Sequence, residues 1–224
     1  MSGLRDAEAF VRAQTAIAAP PLVPELRLHL ATEVTPLWQA TEAVLARTNL
    51  PPPYWAFAWP GGQALARYVL DHPDVVRGRA VLDFAAGSGI GAIAAAKAGA
   101  ARVTATDIDA HAAAAMRLNA AANGVTFAIS TDDLTRADDA DDGVWDVVLA
   151  GDVCYERPMA EAVLAWLRRQ VGRGAVVLMA DPGRAYLPSS GLVEIARYDV
   201  PTSPDLEDRP MRTTRVLRLL AQDV

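Results

Sequence analysis

The stretch that decides the fold is VLDFAAGSGIGA, residues 81–92. It begins with an apolar run containing Asp83 and passes through Gly87 and Gly89 into an alanine-rich segment that continues to Ala98. This order predicts a strand, a tight turn and a helix, the arrangement that brings backbone amides up to a nucleotide-type ligand. Glycine has no Cβ, so the backbone of the turn can approach a ligand closely.

The carboxylate of Asp83 distinguishes between two ligand classes that use such a turn. The pattern Gly87-x-Gly89-x-x-Ala92 also fits the loose dinucleotide fingerprint. A dinucleotide would bring its pyrophosphate to the helix N-terminus, where Asp83 would repel it. S-adenosylmethionine (SAM) has no phosphate and carries an ammonium and a sulfonium, so the same carboxylate would attract it. Asp83 therefore favours SAM, and a structural turn without a ligand is the remaining alternative.

The stretch resembles the first motif of the class I SAM-dependent methyltransferases, an acid followed by Gly-x-Gly-x-Gly. The match departs from this motif at one position, because Ala85 stands where the first glycine is expected. The resemblance implies a Rossmann-like, doubly wound α/β fold. Its seven-stranded sheet would be mostly parallel, with three strands on either side of a switch point and one antiparallel strand near the end. It also places Asp83, Ala85, Gly87 and Gly89 against the cofactor.

A second carboxylate follows the next predicted strand, residues 102–106. Asp107 ends this strand, 24 residues after Asp83. A carboxylate at this position is placed to accept hydrogen bonds from both ribose hydroxyls of a nucleoside. A helix-capping role is the alternative for Asp107, although Asp109 is the better cap for the alanine-rich helix that follows. Ile108 is included among the predicted cofactor contacts. After the third strand, the resemblance assigns the adenine amine to Asp132, with Asp133 as the second choice.

The predicted catalytic residues follow the fourth strand, residues 145–150. In this architecture chemistry takes place at the carboxyl ends of strands, so Asp152 and Tyr155 are expected to face the methyl donor. Gly151 is a further predicted cofactor contact. The run Asp-x-x-Tyr resembles the signature of a seven-β-strand group of mostly protein-lysine methyltransferases. Cys154 lies between the two residues and is interpreted as a small buried filler.

Residues 1–75 do not belong to a minimal nucleotide-binding fold. We expect them to form an N-terminal extension that recognises substrate and covers the active site, and residues 76–224 to form the SAM-binding core of one compact domain. Within the extension we expect a helix over residues 6–18, a strand over residues 26–30 and a second helix over residues 35–47. His29 lies on the polar side of the strand alternation and is predicted to be exposed.

An aromatic segment, PPPYWAFAWPGGQ, joins the extension to the core. Three prolines stiffen its beginning, four aromatic residues occur within residues 54–59, and Gly61 and Gly62 are interpreted as a hinge before a helix over residues 64–71. The aromatic rings are expected to form a hydrophobic plug, a wall of the ligand site, or both. Trp59 is the member of this segment that we assign to the cofactor.

Composition narrows the function classes. The chain has 224 residues, of which 52% are hydrophobic, and a formal net charge of -6. No long run of Lys and Arg is present, which argues against nucleic acid as a partner. The one cysteine excludes an internal disulfide, and with His29, His72 and His111 scattered along the chain no metal site is expected. Because neither a signal peptide nor a membrane span is recognised, we expect a cytoplasmic protein. We also expect it to be a monomer.

Beyond the superfamily motif, residues 24–184 closely resemble the electron-transfer-flavoprotein β-subunit lysine methyltransferases. The resemblance depends on LHLATEVTPLWQ, PPPYWAFAWPGGQALARY, GDVCYE and DPGR. It implies a SAM-dependent protein-lysine N-methyltransferase whose partner is the β subunit of electron transfer flavoprotein. A ribosomal-protein or a small-molecule, nicotinamide-like N-methyltransferase is the alternative. In the DPGR segment, Asp181 and Arg184 are expected to shape the turn rather than to contact substrate.

Overall fold

A computed structural model describes residues 2–33, 35–39, 52–136 and 144–221. It contains a large sheet built from β3 (Ala80–Phe84), β4 (Arg102–Thr106), β5 (Ala128–Ser130), β6 (Val147–Gly151), β7 (Val176–Asp181), β8 (Leu192–Pro201) and β9 (Met211–Leu219). A separate antiparallel pair is formed by β1 (Ala16–Ala18) and β2 (Leu28–Leu30). The described α-helices are α1 (Ser2–Gln14), α2 (Pro36–Gln39), α3 (Pro60–Asp71), α4 (Ile90–Lys97), α5 (Ala110–Ala122), α6 (Arg157–Gly172) and α7 (Pro204–Glu207), and two short 3-10 helices cover Tyr54–Ala56 and Pro73–Val75.

The large sheet has seven strands in the order β5-β4-β3-β6-β7-β9-β8. Strand β9 is antiparallel to both of its neighbours, and the other pairs are parallel. The chain runs outward from β3 to β5 and then returns to place β6 on the other side of β3, so the switch point lies between β3 and β6. This topology confirms the predicted doubly wound, mostly parallel sheet, and ligands in such sheets bind at the switch point beyond the strand ends.

Apolar side chains fill both faces of the sheet. Successive residues of a strand point to opposite faces, so Val147 and Leu149 enter one core while Val148 and Ala150 enter the other. The first core includes residues of α1, α3, α4 and α5, and the second includes residues of α6. Burial on both faces explains why the β6 sequence is continuously apolar rather than alternating.

The N-terminal extension differs from its prediction in two places. The expected helix over residues 6–18 ends at Gln14, because residues 16–18 pair with β2 instead. His29 was expected to be exposed, and this is wrong: it is only 6% exposed. Its ring nitrogen Nδ1 lies 3.1 Å from the Thr15 hydroxyl and its backbone N–H donates to Asn119. Packing of β2 against α5 covers a position that the local alternation places on the polar side.

Two further predictions concern helices near the aromatic segment. The helix predicted over residues 64–71 begins at Pro60, so Gly61 and Gly62 belong to its first turn and the expected hinge is wrong. Of the helix predicted over residues 35–47, Pro36–Gln39 is observed and the remainder lies outside the described residues. Within the described ranges, no helix is long and apolar enough to cross a membrane. The division of the chain at residue 75 stays a prediction.

Candidate active site

The glycine-rich turn after β3 adopts the backbone conformation that its motif requires. Ala85, Gly87 and Gly89 have φ values of 51°, 51° and 76°. Ala85 therefore occupies a left-handed conformation in which an L-residue is disfavoured by about 1 kcal/mol, which explains why the motif prefers glycine there. A Cβ placed on Gly87 would meet only the Cα of Trp55, at 3.7 Å, so this backbone is open to a ligand.

Asp83 lies beneath the turn and is almost fully buried. Its Oδ2 accepts the backbone N–H of Ala92, in the first turn of α4, at 2.7 Å. A Cβ on Gly91 would lie 2.7 Å from Asp83 Oδ1, so the helix packs directly on the carboxyl group. Burial, with a smaller contribution from the charge of Asp107, raises the pKa of Asp83 to about 7. Contact between Asp83 and a ligand ammonium stays a prediction.

Asp107 is held against the glycine-rich turn. Its Oδ2 accepts the N–H of Gly87 at 2.9 Å, and its Oδ1 accepts the N–H of Asp109 at 3.0 Å. Burial raises the pKa of Asp107 in spite of these two hydrogen bonds. Asp109 caps α5 by accepting the N–H of His111, which confirms the predicted capping residue. The half-buried carboxylate of Asp107 is therefore free of the capping role and lies at the switch-point edge of the sheet.

The other predicted cofactor residues lie around this edge at different depths. Ile108 follows Asp107 and is 73% exposed. Asp132 is also exposed and its carboxylate accepts the Ser130 hydroxyl, whereas Asp133 accepts both the N–H and the hydroxyl of Thr135. The structure brings the turn and Asp107 into direct contact, and it leaves Ile108 and Asp132 as exposed flanking residues. Their cofactor contacts stay predictions.

Asp152 lies at the end of β6 with a positive φ of 55°, a strained conformation that is common at functional sites. Its Oδ1 accepts two hydrogen bonds from Arg184, from Nε at 3.1 Å and from Nη2 at 2.8 Å. Its Oδ2 accepts the N–H of Gly61, in the first turn of α3, where the helix dipole favours a negative charge. Burial raises the pKa of Asp152 to about 6, and Arg184 opposes that rise.

Glycines allow the first turn of α3 to approach the end of β6. A Cβ on Gly61 would lie closer than 3.0 Å to Ala180 O and to Asp152 Oδ2. A Cβ on Gly151 would lie 2.9 Å from the backbone N of Gly62. The Gly-Gly pair that was interpreted as a hinge thus allows a close contact between a helix and a strand end, and this contact helps to hold Asp152.

The aromatic segment divides into one buried ring and a chain of more exposed rings, so the plug is confirmed for Trp55, and the wall of the ligand site stays a prediction. Trp55 is 2% exposed and stacks on His111, so it belongs to the core. The other rings form a chain of neighbours in which Tyr54 and Tyr155 are 5.4 Å apart, Tyr54 and Trp59 are 6.1 Å apart, and Phe57 lies 5.8 Å from Trp59. We call this chain, with Trp38 at its far end, the aromatic row: Trp38, Phe57, Trp59, Tyr54 and Tyr155. Burial raises the pKa of Tyr155 to about 12, so its hydroxyl is neutral.

Two residues of the site were missed or misjudged from the sequence. Asn119 is fully buried in α5, donates to Ser88 O of the glycine-rich turn at 2.8 Å, and accepts the N–H of His29 at 2.7 Å. A polar residue inside an alanine-rich helix was the available signal.

Asp181 shapes the turn after β7 as predicted, because its Oδ1 accepts two backbone N–H groups at 2.6 Å. The side chain of Arg184 instead reaches Asp152, which its position in the turn did not indicate.

A depression of about 440 Å³ adjoins the aromatic row at Trp38 and is lined also by Ala31, Thr32, Glu33 and Ser203.

Cys154 is fully buried, as expected of a filler, and burial raises the pKa of its thiol to about 12. No group of three His, Cys, Asp or Glu side chains that could hold a metal ion is found in the part of the chain that the structure describes.

Comparison with known proteins shows the family to which this chain belongs. Residues 63–154 match the family model for ribosomal protein L11 methyltransferase (PrmA). The electron transfer flavoprotein beta subunit lysine methyltransferase of Xenopus laevis is 37% identical over 205 residues, which cover 89% of this chain and 81% of that protein. The human protein of the same name is 35% identical over 216 residues, covering 93% and 80%.

Among solved structures, the magnesium protoporphyrin IX methyltransferase of Synechocystis PCC 6803 with bound SAM shares the fold. Its TM-score is 0.52 at 17% identity, over 72% of this chain and 78% of that chain. The sequence relatives cover most of both chains at more than a third identity. The chain therefore belongs to the electron transfer flavoprotein beta subunit lysine methyltransferase family.

Proposed function

We propose that this protein transfers a methyl group from SAM to a lysine side chain of the β subunit of electron transfer flavoprotein. The observation that carries the proposal is the meeting of the glycine-rich turn, Asp107 and Asp152 at one edge of the sheet, at the carboxyl ends of β3, β4 and β6. Family membership supplies the reaction and the substrate class. In open α/β sheets this edge is where ligands bind.

The residues present fit SAM. The backbone at Gly87 is open, and Asp107 places a half-buried carboxylate beside it for the ribose hydroxyls. Asp83 adds a second acid below the turn, and once it is ionised, above its pKa of about 7, it would repel a pyrophosphate and attract an ammonium. Ile108 and Asp132 flank the adenine side, and Gly151 and Trp59 lie toward the methyl group in this assignment. The cofactor supplies a methyl group on a sulfonium, which already contains the leaving group.

The lysine amine must be neutral when it reacts, because its lone pair forms the new C–N bond while the S–C bond breaks and its electrons stay on sulfur. A free lysine has a pKa of about 10.4, so its proton must leave to water before attack. Asp152 accepts a hydrogen bond from the amine and directs the nitrogen lone pair toward the methyl carbon. Because the pKa of Asp152 is about 6, the carboxylate is ionised above that pH and able to accept this bond.

The aromatic row narrows the path of the lysine side chain. The rings of Tyr54, Trp59 and Tyr155 would attract the incoming ammonium by cation–π interaction. As the rings displace water, desolvation lowers the amine pKa and favours loss of the proton. Alignment in such a channel supplies much of the rate, since effective molarities of well-oriented reactants reach about 10⁵ M or more.

Substrate recognition is assigned to the extension, residues 1–75. Its described part contributes Glu33 and Trp38 to the depression beside the aromatic row, so an acidic and an aromatic group lie next to the proposed lysine path. The formal net charge of -6 suits a basic face on the substrate protein.

The direct test incubates the purified protein with deuterated-methyl SAM and the purified β subunit, and locates the added mass on lysine residues by mass spectrometry. Ribosomal protein L11 and nicotinamide serve as competing substrates. We expect label on the β subunit alone, and the Asp152→Ala variant should lose methyl transfer far more than SAM affinity. Label on either competitor with none on the β subunit would contradict the proposal.

A further inference from the structure

We propose that Arg184 is a positioning residue for methyl transfer: it holds the Asp152 carboxylate so that a single oxygen position is offered to the substrate amine. The inference rests on the proposed function in one respect, the role of Asp152 toward the amine. It concerns the arrangement of this chain's own side chains, which can be measured without substrate.

The hydrogen bonds of Asp152 leave one acceptor position open. Each carboxylate oxygen offers about two lone-pair positions. Arg184 uses both positions of Oδ1, through Nε and Nη2, and the Gly61 N–H uses one position of Oδ2. The amine is therefore expected to meet Oδ2. Rotation of the carboxylate would break bonds on both sides, so its orientation is determined before substrate arrives.

Arg184 is itself held in place from behind. Its Nη1 and Nη2 donate to the two carboxylate oxygens of Glu207, at 3.1 Å and 2.6 Å. Glu207 is buried and also accepts a hydrogen bond from Arg212 Nε at 3.0 Å. The backbone N–H of Arg184 donates to Asp181, which anchors the turn that carries it. The guanidinium also lies 5.8 Å from the centre of the Trp59 ring, so it borders the aromatic row.

The planar guanidinium is essential to this geometry. Nε and Nη2 of Arg184 donate to one oxygen of Asp152, while Nη1 and Nη2 donate to Glu207. A lysine ammonium has three donors on a single nitrogen and does not reproduce this planar fork of donors. A lysine at position 184 would keep the charge and lose the orientation. The charge and the fork can therefore be tested separately.

The charges around Asp152 come from several elements. Arg184 approaches from the turn after β7, Asp181 from the end of β7, and the Gly61 N–H from the N-terminus of α3. Tyr155 and Cys154, on the same segment as Asp152, are neutral because burial raises the pKa of both to about 12. Without Arg184, the negative charge of Asp181 would lack its counterpart beside Asp152, and Asp152 would bind a proton at higher pH.

The first experiment measures Asp152 directly, without cofactor or substrate. The protein is labelled with ¹³C at aspartate carboxyl carbons, and the Asp152 resonance is identified by its absence in Asp152→Asn. In Arg184→Gln we expect the titration midpoint of this resonance to rise by about one to three pH units, the effect of removing a neighbouring opposite charge. Arg197→Gln removes a guanidinium that donates twice to the exposed Glu194 and is the matched control, with no shift expected.

The second experiment follows single-turnover methyl transfer to the β subunit between about pH 5 and pH 9. Arg184→Gln should lower the rate near pH 7 by about 10- to 100-fold. It should also shift the acid limb, the fall of the rate at low pH in the pH–rate profile, to higher pH. SAM affinity should change by less than about threefold. Arg184→Lys should keep the acid limb and still lower the rate, because the fork is lost. Arg197→Gln should match the unaltered protein in both respects.

Some results would overturn the proposal. Arg184 would have only a structural role if the titration midpoint of Asp152 were unchanged in Arg184→Gln. The same conclusion would follow if this variant had a lower melting temperature but an unchanged rate and acid limb. If Arg184→Gln does not fold, a normal rate in Arg184→Lys has the same consequence. A shifted midpoint in a protein that never methylates the β subunit would instead overturn the proposed function and leave the link between Arg184 and Asp152 intact.

Discussion

The Asp83→Asn variant tests whether the buried carboxyl group of Asp83 makes the stability of the protein depend on pH. An asparagine has nearly the same shape and keeps an oxygen for the N–H of Ala92, which Asp83 accepts at 2.7 Å. It does not titrate. Any pH dependence that differs between the two proteins therefore reports the protonation of Asp83 itself.

The sign and the size of the expected change in stability with pH follow from the pKa of this group. Burial first, and the charge of Asp107 to a smaller extent, raise the pKa of Asp83 from 3.8 to about 7. Below pH 3.8 the carboxyl group is protonated in both states, and its full contribution to stability is present. Between the two pKa values the folded state binds a proton that the unfolded state lacks, so stability falls by about 1.4 kcal/mol per pH unit. The loss reaches about 4 kcal/mol once the pH exceeds 7.

The assay is urea unfolding of both proteins without cofactor, at several values between about pH 4 and pH 8. The difference in unfolding free energy, variant minus unaltered protein, should rise across that range by about 4 kcal/mol. Any constant contribution from packing the amide cancels in this comparison. Asp132→Asn, at an exposed position, controls for the loss of a carboxylate. Parallel pH profiles for Asp83→Asn and the unaltered protein would refute the reasoning.

Four further outcomes are expected. Ala85→Gly should stabilise the protein by about 1 kcal/mol in thermal unfolding, because Ala85 has a φ of 51°; a loss of stability would contradict this reasoning. Gly61→Ala should lower stability by about 2 kcal/mol or more and slow methyl transfer, because its Cβ would collide with Ala180 O and Asp152. Asn119→Ala should lower stability by about 3 kcal/mol, since it leaves two buried backbone groups unpaired. Asp107→Ala should weaken SAM binding by about 10- to 100-fold in calorimetry, and unchanged affinity would remove its ribose assignment.

Local patterns identified most of the elements that carry the site. The apolar run into Asp83, the glycines after it and the carboxylate at Asp107 each have a local physical cause, namely strand burial, positive φ and a strand end. The same is true of Asp109, whose capping role depends on residues two positions away. These features persist in the structure because they depend on neighbours in the chain.

The errors arose where distant segments meet. His29 is on the polar side of a short strand, yet α5 covers it, and Asn119 is the residue across from it. Gly61 and Gly62 resemble a hinge in sequence, but contact with β6 requires them inside a helix. No local pattern contains the partner in either case.

The sequence alone determined the strand and helix order, the cofactor-type turn and the presence of acids at three strand ends, because periodicity, glycine and charge act over a few residues. Only the tertiary structure decided what each acid touches. Asp83 lies under a helix, Asp107 contacts the turn, and Asp152 lies between the α3 N-terminus and Arg184, 32 residues further along the chain. The physical reason is that burial and pairing, which determine the pKa and orientation of a carboxylate, come from segments that the chain brings together only on folding.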